Sequence, residues 1–310
     1  MSKQAAQSTT NQITEGVIWK QLLIFFFPIL FGTFFQQLYN TADAIIVGNF
    51  VGKEALASVG GSASTIINLL VGFFVGLSSG ATVIISQYYG ADNRRRVSDS
   101  VHTAIALAIA GGVVIMLIGL VSARFALTAM GTPDDILSLS LTYMKIYYLG
   151  TIPSMIYNMG SGILRAVGDS KRPLYFLIAS CLVNIVLDLL FVAVLDMGVA
   201  GAAIATVISQ VISAGLVTIC LMKTNASYRL ELHKLHIYKD KFFGMMRVGL
   251  PAGMQGAGFS ISNVLIQSSI NSFGSTVMAG STAAANIEGF VYTAMNAFYQ
   301  TALSFTGQNM

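Results

Sequence analysis

Eight stretches of this chain are apolar for about the length a helix needs to cross a bilayer, roughly 20 residues. They cover residues 19–48, 55–88, 98–122, 136–163, 173–195, 198–222, 244–271 and 276–310. Hydrocarbon offers no water to backbone N–H and C=O groups, so runs of this kind fold as helices. A soluble helical bundle needs a charged outer face. Only 10% of these 310 residues are charged and 55% are hydrophobic, against about 25% charged in soluble chains. The expected fold class is all-α, a polytopic helical membrane protein. The first, second, fourth and last spans exceed a bilayer's thickness and are expected to tilt, kink or protrude. Pro28 and Pro251 fall inside the first and seventh spans. Each removes a backbone hydrogen bond and marks a hinge candidate, as a static kink or a moving one.

Basic residues set the expected orientation. Lys3 and Lys20 precede span 1, Arg94, Arg95 and Arg96 separate spans 2 and 3, and Arg165, Lys171 and Arg172 separate spans 4 and 5. Lys223, Arg229, Lys234, Lys239, Lys241 and Arg247 separate spans 6 and 7, whereas the opposite face carries Lys53 and Arg124, with Lys145 just inside span 4. The positive-inside rule places the N-terminus in the cytoplasm, as expected of a multi-pass protein of the plasma (inner) membrane. Residues 1–17 hold Glu15 and no basic n-region, which argues against a cleaved signal peptide. The net charge of +4 implies no nucleic-acid partner. Cys181 and Cys220 lie in apolar runs and form no CxxC site. His102, His233 and His236 are scattered and support no metal centre. The segment 223–243 reads as a cytoplasmic linker, either solvated or partly an interfacial amphipathic helix.

The chain restarts after that linker. Pro28 and Asn40 recur as Pro251 and Asn263 at an offset of 223; Gly52 and Ala57 recur as Gly274 and Ala279 at 222; Ala81 and Gln87 recur as Ala302 and Gln308 at 221. Six spans separate the two starts, so both copies enter the membrane in the same direction. That is a parallel repeat about an axis along the membrane normal. The expected domains are an N-lobe of six helices over residues 1–222, the linker, and the first two helices of a second lobe over 244–310. A six-plus-six plan needs four more helices, so a chain truncated after the eighth helix is expected.

Inside this apolar frame sit a few acids. Between Gln21 and Asn49 the only side chain charged at pH 7 is Asp43. An ionised carboxylate is costly in lipid and is by default a functional candidate facing a protein or aqueous interior. Gln36, Asn40 and Asp43 share one helix face at i, i+4, i+7. Asn184 and Asp188 repeat the pattern at i, i+4. At 1.5 Å per residue Asp188 lies about 22 Å past Pro173 and Asp43 about 35 Å past Lys20, which places both in the outer half of the membrane. Taking a carboxylate out of water favours its neutral form. An acid so placed can load a proton on one side and release it on the other. The plainer reading keeps Asp43 satisfied by Gln36, Asn40 or hydroxyls, and Asp188 bonded with Asn184 across helices. Glu288 fits cavity lining and interhelical bonding equally. Gln255, Asn263 and Gln267 give span 7 a polar face, and Tyr39 and Tyr147 offer ring faces to cations. The glycines from Gly253 to Gly258 follow no strand and read as close helix packing.

Several segments together resemble the multidrug and toxic compound extrusion (MATE) family, bacterial type. They are Gln36–Asp43 (QQLYNTAD), Leu164–Asp169 (LRAVGD), Asn184–Asp188 (NIVLD), Gly198–Ala203 (GVAGAA) and Gly249–Gly253 (GLPAG). The resemblance implies a two-lobe transporter and an antiporter function. Cationic or amphipathic organic compounds would be exported in exchange for protons or sodium, with no cofactor beyond that coupling ion and, at full length, a monomer in the lipid bilayer. It implies cation coupling at Asp43 and Asp188 with Asn184 beside them. The polar and aromatic faces themselves make Gln36, Tyr39, Asn40, Gln255, Asn263 and Glu288 the candidates to line a substrate cavity. Some relatives carry an acid in the seventh helix near Asn263, where this chain has none.

Other classes fit less well. An intramembrane enzyme needs a convergent nucleophile or metal cluster, and no HExxH is present, so no enzyme is expected. A channel does not require two buried acids and a two-lobe repeat. A lipid-linked oligosaccharide flippase of related architecture would favour a basic cavity. Here the spans hold acids and amides, and the basic residues lie mainly in loops.

Overall fold

The computed structural model describes residues 17–309; the readings that rest on Lys3, Glu15 and Met310 lie outside them. Within the described residues ten α-helices follow in order: α1 (Ile18–Phe50), α2 (Lys53–Ser58), α3 (Ser64–Gly90), α4 (Arg94–Ala129), α5 (Asp134–Leu149), α6 (Thr151–Ala166), α7 (Lys171–Asp188), α8 (Gly198–Lys223), α9 (Lys239–Asn271) and α10 (Ser275–Asn309). π-Helical turns join α2 to α3 (Val59–Ala63) and extend α7 (Leu189–Val194). Among the described residues there is no strand.

Also among the described residues, five helical stretches are long and apolar enough on their own to cross a membrane: Trp19–Phe50, Lys53–Gly90, Arg94–Ala129, Lys171–Val194 and Gly198–Lys223. The others differ for physical reasons. The fourth expected span divides at Gly150 into α5 and α6, of 16 residues each. A Cβ at Gly150 would stand 2.5 Å from Gln210 Oε1, so the glycine lets α8 approach the break. The Thr151 hydroxyl spans the junction, donating to the carbonyls of Tyr148 (2.7 Å) and Gly112 (3.2 Å). α9 and α10, at 33 and 35 residues, are long enough to span, but their glycines, serines and asparagines dilute the apolar character.

Local chemistry sets the joints. Asp169 Oδ1 accepts the N–H groups of Lys171 (3.2 Å) and Arg172 (3.1 Å), and its other oxygen pairs with Arg172 Nε at 3.1 Å. That carboxylate turns the chain from α6 into α7 as a helix N-terminal cap does. Gly274, at φ +85°, supplies the left-handed residue that separates α9 from α10.

Val101, Ala104, Tyr148, Leu164 and Val217, from α4, α5, α6 and α8, are fully buried in the largest apolar cluster. Of the two helices that follow the linker, α9 packs along α3 and adds Met245 to this core, and α10 packs along α1. The α3–α9 seam is made of glycine. A Cβ at Gly76 would stand 2.5 Å from Gly253 Cα, and one at Gly249 the same distance from the Leu77 carbonyl oxygen. Small residues at four-residue spacing let two backbones touch in a medium without a hydrophobic driving force. The α1–α10 seam is bulkier. Phe26 meets Phe298 with ring centroids 4.5 Å apart, Thr33 donates to the Thr293 carbonyl (3.3 Å), and Gln37 to that of Asn286 (2.8 Å).

The repeat makes these two seams one contact seen twice. Gly256, whose Cβ would stand 3.5 Å from the Gly72 carbonyl oxygen, is the counterpart of Thr33, which bonds to α10 in the other seam. Two positions rest against their own counterparts: Gly60 against Thr282, and Ser86 against Gly307. A residue touches its own equivalent only near the axis relating the copies. These contacts therefore mark the axis near the start and the end of α3, running along the helices.

Candidate functional site: a buried carboxylate chamber

α1, α5, α7 and α8 meet around one polar space. α1 packs on α7, where Cys181 Sγ donates to the Phe35 carbonyl at 3.8 Å, and α8 packs on both α5 and α7. Cys181, Asn184 and Asp188 are buried at i, i+3, i+7 spacing, one face of α7. Asp43 is 6% exposed, and Asn184 and Asp188 are fully enclosed. The two carboxylates lie within electrostatic reach of each other. Asp43 is also within reach of Tyr39, Tyr143 and Tyr147. Asn184, one turn before Asp188, stands near its carboxylate without a well-formed hydrogen bond.

The site is left open in hydrogen bonding. Asp43 Oδ1, both oxygens of Asp188 and both polar atoms of the Asn184 amide are buried with no partner. Buried polar atoms in native proteins are nearly always bonded, and an unpaired buried group costs about 1–3 kcal/mol, more when charged. These five atoms belong to three residues on α1 and α7. Carboxylate and amide oxygens are hard donors, suited to a proton or a hard cation. Among the described residues no group of three or more His, Cys, Asp or Glu is placed to hold a metal ion.

Three further chamber residues were not singled out from sequence. Tyr143 stacks obliquely on Tyr147, ring centroids 6.0 Å apart. Thr206 approaches the Tyr39 hydroxyl and Gln210 that of Tyr147. Their signal was the i, i+4 spacing of Tyr143 with Tyr147 and of Thr206 with Gln210, on helices that otherwise read as apolar. Asp188 is also the last residue of α7 before a π-helical turn, a distortion frequent at functional sites.

The other expected cavity residues lie elsewhere. Gln36 and Asn40 share the Asp43 face of α1 but are exposed; α5, α7 and α8 close over the turn of Asp43 and not over theirs. Gln255 and Asn263 on α9 and Glu288 on α10 are also exposed, so none of the five lines the chamber. Pro28 and Pro251 sit inside continuous helices.

A polytopic helical bundle with a parallel internal repeat and carboxylates enclosed in its first lobe has the build of a two-lobe membrane transporter. The chain belongs to the MatE family, whose profile matches residues 28–190. It is 29% identical over 297 residues to the probable multidrug resistance protein YpnP of Bacillus subtilis (strain 168), covering 96% of this chain and 66% of the relative. It is 30% identical over 281 residues to the probable multidrug resistance protein YoeA of the same organism, covering 87% and 60%. Among solved structures it is similar to the MATE multidrug transporter DinF-BH in complex with a dye, at a TM-score of 0.86 and 28% identity over 94% of this chain and 66% of that one. The chain thus spans about three-fifths to two-thirds of the length of these relatives.

Proposed function

We propose that the chain handles ion and substrate in a secondary active multidrug exporter, an antiporter that exchanges cationic or amphipathic organic compounds for protons or sodium. It lies in the plasma membrane with its N-terminus and the linker 223–243 on the cytoplasmic side. The observation that carries this reading is the set of unpartnered carboxylate and amide atoms of Asp43, Asn184 and Asp188 in one enclosed space. Two carboxylates within reach of each other repel when both are ionised, and a proton or Na⁺ between them relieves that repulsion. The names of the relatives and the dye bound by the structural neighbour support an organic compound as cargo. The acids of the chamber favour a cationic one.

The coupling step follows from charge. With both acids empty the chamber is anionic and attracts an organic cation, helped by the ring faces of Tyr39, Tyr143 and Tyr147. Loading the acids from outside neutralises the chamber and weakens that attraction. α1 then changes its bend near Pro28, where the helix lacks one backbone bond, and α9 follows near Pro251. The ion drives this change only by binding the two conformations with different affinity. Gln36, Asn40, Gln255, Asn263 and Glu288 offer polar contacts along the path between lobes.

The test is ethidium efflux from vesicles carrying the natural gene product, with a pH gradient and a Na⁺ gradient imposed separately. Efflux driven by one of the two supports the proposal. Efflux indifferent to both would favour the flippase reading instead.

A further inference from the structure

The polar linker between α8 and α9 is docked on the protein. Tyr228 meets Tyr89 edge-on with centroids 6.5 Å apart. Leu230 is 1% exposed, and its N–H bonds back to the Leu221 carbonyl at 2.9 Å. The only helical turn within it is the three-residue stretch Leu232–Lys234, so it forms no interfacial helix. At its far end Lys241 is buried against Tyr88, its Nζ 4.6 Å from the ring centroid and paired with Asp240 at 2.7 Å.

Two adjacent residues of α4 hold the middle. Thr103, fully buried, donates to the Asp99 carbonyl (2.8 Å) and accepts the N–H of Tyr238 (3.2 Å). His102, 3% exposed, places Nδ1 2.7 Å from the Ser98 carbonyl oxygen and Nε2 3.1 Å from the amide nitrogen of Glu231. These partners dictate the protonation of the ring. A carbonyl only accepts, so Nδ1 carries the hydrogen. A backbone amide only donates, so Nε2 must be bare. The imidazolium would set one N–H against another.

We propose that His102 is a proton-sensitive peg that fastens the linker to α4 when neutral and releases residues 231–238 when it takes up a proton. Histidine is the side chain whose charge changes between pH 5 and 8. Of the other groups around the linker, a proton on His233 would strengthen its pairing with Glu231 and so would not release the linker. Lys234 (2.7 Å), with His233 (3.4 Å), binds the Glu231 carboxylate and holds it below the usual carboxylate range, so it stays ionised over that interval. Asp99 meets Thr103 through its backbone carbonyl. His233 and His236 are exposed, and the His236 ring lies edge-on to Tyr238 at 5.0 Å. Arg96 and Lys241 both sit over the Tyr88 ring, at 5.4 and 4.6 Å. The linker runs directly into α9, so unpegging loosens the chain that leads into the helix packed along α3. The proposal rests on the proposed orientation only in naming the cytoplasm as the source of the proton.

Hydrogen–deuterium exchange of the Glu231 and Tyr238 amides in the whole protein in lipid nanodiscs tests it, after correction for the intrinsic pH dependence of exchange. Wild-type protection at Glu231 is expected to fall by up to about tenfold between pH 7.5 and 5.5, the equivalent of one ordinary hydrogen bond. His102→Gln, which keeps an acceptor and takes no proton, should stay protected at both pH values. His102→Leu should be unprotected at both, and His236→Asn should behave as wild type. Equal wild-type protection at the two pH values, or a pH-dependent loss that persists in His102→Gln, would overturn the proposal. Neither result bears on whether the protein transports.

Discussion

Ser86 rests against Gly307, the residue that the internal repeat makes its own counterpart. The contact lies near the end of α3 and near the end of α10, with no side chain on one partner. Nearby, the Gln308 amide donates to the Ala166 carbonyl, tying the second repeat to the first lobe. Gln87, at the equivalent position of the first copy, is exposed. Counterparts thus meet at the backbone here while their hydrogen bonding differs.

Adding a methyl at this axis should be costly. Gly307→Ala would drive a Cβ into Ser86 Oγ, and overpacking of this kind costs typically about 1–3 kcal/mol. Thermal unfolding in detergent should show a lower Tm for Gly307→Ala and partial recovery in the Ser86→Ala, Gly307→Ala double variant. Equal Tm values for the single variant and wild type would mean that the two helices do not meet here.

The glycine seam makes a contrasting prediction on one helix. At Gly253 a Cβ would meet the Phe73 carbonyl oxygen at 2.7 Å, whereas at Gly258 nothing lies within 4 Å. Gly253→Ala should destabilise, because backbone cannot step aside. Gly258→Ala should be neutral or stabilising by up to about 1 kcal/mol through helix propensity. Both are read from Tm, and a reversed order would contradict the seam.

At the far end of α9 a polar lock is built on Asn271. Its Nδ2 donates to Ser62 Oγ (2.9 Å) and to the Met130 carbonyl (2.7 Å), and its Oδ1 accepts from Gln267 (3.0 Å). Asn271→Leu leaves these buried groups unpaired, at roughly 1–3 kcal/mol. Thermal unfolding in detergent should show a lower Tm for Asn271→Leu than for wild type, and an unchanged Tm would contradict the lock.

Much of this was legible in the residues. Apolar length alone located the helices, because lipid forces helical spans. The register of Pro28 with Pro251 and Asn40 with Asn263 exposed the repeat, because equivalent backbone positions share helix-breaking residues. Asp43 and Asp188 stood out because charge is rare in the spans. The break at Gly150 was hidden, since a glycine in an apolar run looks like packing until Gln210 is placed beside it. Enclosure was hidden too: spacing puts Gln36, Asn40 and Asp43 on one face, but only neighbours remote in sequence decide which turn is covered. The linker read as solvated or as partly an interfacial helix because the backbone amides that anchor it on α4 leave no mark in the side-chain pattern.

Asp188→Asn separates charge from shape in the chamber. The amide keeps the size and removes one ionisable group, so the ion-binding stoichiometry should fall while the fold persists. The readout is proton release or Na⁺ uptake by the purified protein on adding an organic cation such as ethidium. Unchanged stoichiometry would place the coupling ion away from Asp188.

The central claim is that neutralising Asp43 together with Asp188 is the coupled event. Its most direct test is gradient-driven ethidium efflux in vesicles by the wild type and by Asp43→Asn, over a range of pH. Efflux by the variant should lose its dependence on the imposed ion gradient and leave only downhill leak. Efflux by Asp43→Asn against a gradient, with the wild-type pH dependence, would contradict it.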